Sequence, residues 1–272
     1  VVAQTLDLSG LSNFTISARS LLVAGDGSNA GATPERDRAS GALKLARNNF
    51  ITLNGCSFPP AMTVGRNIGN GGFGASLTLG QTNLFFCDAG FGIGLGRTAP
   101  SVMTFGSVSN SFAKFRNTAG AGPQQAWLIG DSVSVTYSGN TNAGIVDFSG
   151  GALDAEVSLV VIGRAVNDTK GLASGSTEGS LSFDAGLLKA NTIILGYQVN
   201  NYSARAGGTL NVDGSVDTSF PSGCSSALTA HAWRTVRRCT PWRFANSRID
   251  SPSTRRSRRI CSNTSTRDLA TP

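Results

Sequence analysis

Three acidic residues recur at one offset. Five positions after Gly151, Gly179 and Gly208 stand Glu156, Asp184 and Asp213. If the blocks that carry them lie on one another as parallel strands, the three carboxylates form a row on successive layers, ~4.8 Å apart. A row of this kind suits Ca²⁺, a hard cation that takes oxygen ligands. It also suits the paired acid and base of sugar-chain cleavage. A plainer role competes with both: Asp184 and Asp213 are each followed within two residues by Gly, as turn residues are. The turn role is preferred. Glu156, Asp184 and Asp213 stand as the candidate Ca²⁺ ligands, and no catalytic residue or other cofactor is expected.

Other chemistry has less to draw on. The one His, His231, lies within the last 49 residues, so the body before it holds no Ser-His-Asp triad, no Cys-His pair and no His-ligated zinc. There is no Gly-Lys-Ser/Thr phosphate loop. The alternating run from Gly90 to Gly96 lacks dinucleotide-fingerprint spacing and reads as a strand on which another backbone packs closely. Cys56 and Cys87, the two thiols of the body, read as small apolar fillers in preference to a disulfide. Tyr197 and Tyr202 are candidates for ligand contact, while Phe85, Phe86, Phe105, Phe112 and Phe115 read as core ladders.

The elements that would position these groups follow from a repeat. Short aliphatic stretches ending in Gly25, Gly65, Gly96, Gly130, Gly163 and Gly196 recur at intervals of 40, 31, 34, 33 and 33 residues. A second block precedes several of them, opening at Gly41, Ala75, Gly151, Gly179 and Gly208. Within the blocks apolar and polar residues alternate, as in Leu181-Ser182-Phe183, which is the period of a half-buried strand. Separators such as Asp26-Gly27-Ser28-Asn29 and Ser138-Gly139-Asn140 are turn chemistry. The body shows no helical apolar stripe of useful length. A strand-only unit of ~33 residues buries its apolar face only by stacking. The expected fold is therefore all-β: a parallel β-solenoid, specifically a right-handed β-helix, with irregular side loops such as Gly31–Arg38. An antiparallel β-sandwich is the rival. Solenoid ends are open edges that invite association, and with no polar cap in sight the chain is expected to be part of a longer rod.

Composition divides the chain at one point. Residues 1–223 carry 13 Lys+Arg against 14 Asp+Glu, whereas residues 224–272 carry ten Arg, no Lys and two Asp. Those last residues hold none of the 34 Gly but three of the five Cys and two of the three Trp. The expected organisation is a solenoid domain over 1–223, of about six repeats, and a basic tail over 224–272 that is disordered or read in a non-native frame. The Arg255–Arg259 run pairs with phosphate in principle, but no nucleic-acid partner is expected. Nor does any apolar run reach the ~18–20 residues of a membrane helix.

The stretch from Gly179 to Gln198, with Gly208-Thr-Leu-Asn-Val-Asp-Gly214 after it, resembles the repeats of large secreted or surface proteins of bacteria. These are autotransporter passenger regions and related β-helix adhesins. The resemblance covers roughly Leu6 to Ser215 and stops before Cys224. It implies an exported, extracellular or cell-surface protein with a structural or adhesive role, whose partner is a polysaccharide or a host or matrix surface. The alternatives are a polysaccharide lyase or hydrolase of the β-helix type and a carbohydrate-binding β-sandwich module.

Overall fold

A computed structural model describes residues 4–25, 40–55, 60–72, 74–106, 109–132, 142–165, 176–198, 205–212 and 229–230. Among them there are strands and turns and no helix, hence none long and apolar enough to cross a membrane. Val1–Arg234 makes one compact unit. Thr235–Pro272 is grouped apart from it and, like His231 and the Gly31–Arg38 loop, lies outside the described residues.

Each turn of the repeat supplies three strands. The first coil is β1 (Gln4–Asp7), β2 (Asn13–Ala18) and β3 (Leu21–Gly25); the second is β4 (Gly41–Lys44), β5 (Asn48–Leu53) and β6 (Met62–Gly72). The third is β7 (Ala75–Leu79), β8 (Thr82–Cys87) and β9 (Gly90–Thr98), and the fourth β10 (Ser101–Phe105), β11 (Ser111–Arg116) and β12 (Gln124–Asp131). In the next two coils the three strands fuse into β13 (Asn142–Ala165) and β14 (Ser176–Gln198). β15 (Arg205–Val212) and β16 (Thr229–Ala230) follow. Every strand pairs in parallel with its counterpart one coil away, which makes three ladders. This is the parallel β-solenoid class, and the antiparallel sandwich is set aside by strand direction alone.

One interior column shows the stacking: Val23, Val64, Ile93, Ile129, Ile162 and Leu195 are successive partners in the third ladder. Leu95, expected in that column from the repeat, stands two residues beyond it and pairs with Arg66 and Asp131. The reason is local. Ile93-Gly94-Leu95-Gly96 offers two equivalent aliphatic-Gly matches, and only the backbone chooses between them. Gly94 (φ 65°) takes the left-handed position also held by Gly65, Gly130, Gly163 and Gly196, and in the first coil by Ala24 (φ 51°) in place of Gly25.

At this point the third ladder ends and runs against the start of the first. A Cβ on Gly130 would sit 1.9 Å from the carbonyl oxygen of Glu178, and one on Gly179 would sit 2.3 Å from that of Ile129. Only a bare backbone fits. From the second coil on, first-ladder partners at this corner are small: Gly41 with Ala75, and Ser101 with Gly144, Gly179 and Gly208, while the first coil has Gln4 opposite Gly41. Gly151 does not belong to that series. It pairs with Ser111 at the start of the second ladder, because Gly144-Ile-Val-Asp-Phe and Gly151-Ala-Leu-Asp-Ala carry the same Gly-x-apolar pattern.

The interior is filled by aromatic rings that change ladder as they stack. Phe85 lies on Phe115 at 4.8 Å and nearly parallel, and Phe115 meets Trp127 edge-on at 5.0 Å. Such pairs add to the area they bury. Trp127 Nε1 donates to Gln124 Oε1 (2.7 Å), and Gln124 Nε2 donates to the Arg116 carbonyl (3.1 Å), so both buried polar groups are satisfied. Cys87 is a free, buried thiol whose pKa burial pushes up to about 12, as suits an inert filler. Cys56 lies outside the described residues.

Candidate functional site

The outward residues of the second ladder form the most chemically varied face among the described residues. Thr15, Phe50, Leu84, Lys114, Asp154 and Leu187 are successive partners in one row. Beside it run Asn48, Thr82, Phe112, Ala152 and Ala185, and on the other side Thr52, Phe86 and Arg116, then Glu156 with Lys189. Alternation explains the placement: Ile51, Leu53, Phe85, Cys87, Ala113 and Phe115 have the opposite parity and point inward.

The coils of lower number make this face aromatic. Phe50 is 44% exposed, and its ring centre lies 5.1 Å from that of Phe86 at a tilt of 38°. A turn at Asn117–Gly122 borders the pair, with Gly120 against the Phe86 ring. The turn is held by Thr118 N–H donating to Asp88 Oδ1 (2.9 Å) and by Asn117 N–H donating to the Gly122 carbonyl (2.9 Å). Phe86 and Phe112 therefore belong outside, not in the core ladders where sequence placed them; Phe85, Phe105 and Phe115 are inside. Phe112 shares parity with Lys114 and Arg116, and that was the available signal.

Further along, the same face becomes ionic. Arg116 donates to Asp154 Oδ1 (2.5 Å) and to the carbonyls of Phe115 (2.8 Å) and Asp154 (3.0 Å), and lies 3.5 Å from Glu156 Oε1. Lys189 Nζ donates to Glu156 Oε1 at 3.2 Å, and Lys114 Nζ lies 3.9 Å from Asp154 Oδ2. Three cations thus hold two carboxylates, leaving the cluster one positive charge in excess. The lysines are the most exposed members, and Arg116 is buried.

The three acids read as a row are placed differently from one another. Glu156 belongs to this network and has Lys189 as its partner on the next coil. Asp184 follows Phe183 at the first corner, where its Oδ2 accepts from the Gly150 N–H at 2.9 Å. Glu156 and Asp184 therefore occupy different columns, a consequence of the shifted start at Gly151. Asp213 and Tyr202 lie outside the described residues. A second ion pair, its carboxylate buried, lies in the third ladder: Arg164 Nε donates to Asp131 Oδ1 at 2.8 Å, and a second guanidinium nitrogen reaches Oδ2. Burial raises the Asp131 carboxyl above its ordinary range, and Arg164 works against that rise.

Comparison with family models, curated proteins and solved structures finds no match to the chain.

Proposed function

We propose that the chain is a structural and adhesive segment of an exported bacterial surface protein, akin to an autotransporter passenger. Its coils wind as a right-handed β-helix, the hand that parallel crossovers favour. The observation that carries the reading is the unbroken parallel pairing of coil on coil. Each added coil extends the structure at constant section without needing a larger core, as a display scaffold requires. The second-ladder face is where a polysaccharide or matrix partner is held: the tilted Phe50–Phe86 pair presents ring surface for stacking, and Lys114 and Lys189 present amino groups beside it.

Catalysis by Asp154 and Glu156 is the rival reading, since two carboxylates and three cations share one open sheet face. The binding role is favoured because both carboxylates are committed to cations, Asp154 to Arg116 and Glu156 to Lys189. Retention on immobilised neutral and anionic polysaccharides, with product formation followed in parallel and with Ca²⁺ present or chelated, separates the two. The expected result is retention without turnover, weakened about tenfold in Phe50→Ala, the loss of one stacking contact. Chain cleavage that fails in Asp154→Asn would replace the scaffold by an enzyme.

A further inference from the structure

The second-ladder face lies within the sheet, not at its margin. β5, β8, β11 and β13 each have a strand on both sides, so their backbone N–H and C=O groups are spent on the ladder. A peptide finds no open edge there to extend by strand addition. What the face offers is side chains repeated at the coil spacing of ~4.8 Å, with ring surface at Phe50 and Phe86. The partner that fits brings flat rings and a repeat of its own, as a linear sugar chain does.

The charges on this face are layered. The Lys114 and Lys189 side chains are 35% and 41% exposed, their partners Asp154 and Glu156 only 28% and 22%, and Arg116 beneath them 9%. Arg116 spends its guanidinium on the two carboxylates and two carbonyls. Lys114 Nζ stands 3.9 Å from Asp154 Oδ2, beyond hydrogen-bond length, and Lys189 Nζ reaches Glu156 Oε1 at 3.2 Å with one of the three donors an ammonium carries. An arriving ligand therefore meets ammonium groups before carboxylates. Spacing and a wall set its direction. Phe50 and Lys114 share a row two coils apart, ~10 Å, and Phe86 and Lys189 share the next row three coils apart, ~14 Å. The turn at Asn117–Gly122, with Gly120 against the Phe86 ring, obstructs a chain that runs along the strands but not one that runs along the rows.

We propose, resting on the binding role given above, that the ligand is a linear polysaccharide of acidic sugars lying parallel to the solenoid axis. One sugar stacks on Phe50 and Phe86, and acid groups further along the same chain sit on Lys114 and Lys189. Carboxylate and sulfate groups both make charge-assisted hydrogen bonds to an ammonium, so either serves.

Titration calorimetry of the full chain with polygalacturonate, dextran sulfate and uncharged pullulan tests this. An acidic polymer should bind about tenfold tighter than pullulan or more, the better of the two naming the acid group held. Removing both ammonium groups, Lys114→Ala with Lys189→Ala, should weaken acidic-polymer binding about tenfold and leave pullulan unchanged. Glu156→Gln, which takes an anion from beside Lys189, should tighten it about threefold, a gain that misfolding does not imitate. Affinity for galacturonate oligomers should rise until the chain spans the four coil spacings from Phe50 to Lys189, ~19 Å. A monosaccharide bound as well as a long oligomer would overturn the axial placement. Acidic-polymer binding indifferent to both lysines would overturn the site and assign the binding to the arginines beyond residue 224. Pullulan bound as tightly as the acidic polymers, and still weakened by Phe50→Ala, would overturn the acidic ligand while the binding face stands. No binding of any of the three would remove the face as well, and tighter binding of polyglutamate than of polygalacturonate would replace the sugar by an acidic polypeptide.

Discussion

The corner between the third and first ladders and the outward face of the second are built by opposite constraints. At the corner, backbone lies on backbone: Gly130 and Gly163 would each bring a Cβ within 2 Å of a carbonyl oxygen. From Gly130 on, composition there has little freedom. On the second-ladder face side chains answer to neighbours within and across rows, as Arg116 does to Asp154, and the rows change from Asn and Thr through Phe and Leu to Lys, Arg, Asp and Glu along the coils. The corner closes through what it leaves out, and the face proposed for binding is built from what it adds. Function therefore has room on the face and none at the corner.

The sharpest way to break this contrast is a side chain at the corner. Gly130→Val combines a positive φ with collision against the Glu178 carbonyl, and a loss of about 3 kcal/mol or more is expected in denaturant unfolding. A loss near zero would mean the corner is not closed as described. Inside against outside is the next test. Phe115→Ala, which empties the middle of the aromatic stack, should cost ~3–5 kcal/mol, and Phe50→Ala on the face less than about 1 kcal/mol. Equal losses would erase the difference between column and row. The smallest effect concerns a charge in the first coil. The Asp7 carboxyl is held down to about 2 from 3.8, first by the Ser9 hydroxyl and then by Lys44. Its folded-state pKa is depressed, so its stabilising contribution is present above pH 3.8 and disappears as the pH falls through about 2. Ser9→Ala should raise the midpoint of its carboxyl titration, followed by NMR, more than Lys44→Ala does. The reverse order would assign the shift to the ion pair.

Much of the architecture was legible because it rests on period and punctuation. Leu43, Leu77, Leu181 and Leu210 are recognisable as inward residues from alternation alone, and the recurring Gly blocks announce the coil. Register was legible only where a block is unique. Ile93-Gly94-Leu95-Gly96 matched the repeat twice, and Gly151 imitated Gly144. Each slip displaced a column and with it a conclusion, since the acidic row depended on Gly151. The aromatic face was missed for a related reason: Leu84-Phe85-Phe86 is apolar at both parities, so alternation does not say which ring is inside.

Sequence alone determined the strand period, the absence of helical patterning in the body and the stacking of like on like, because these are local preferences repeated often enough to add up. The tertiary structure alone decided which residues meet across ~33 positions of chain. It set Glu156 beside Lys189 and not beside Asp184, and put Phe50 against Phe86 in the open. The physical reason is that a coil's length varies at its turns, and one residue of slip turns a side chain from the core to the surface.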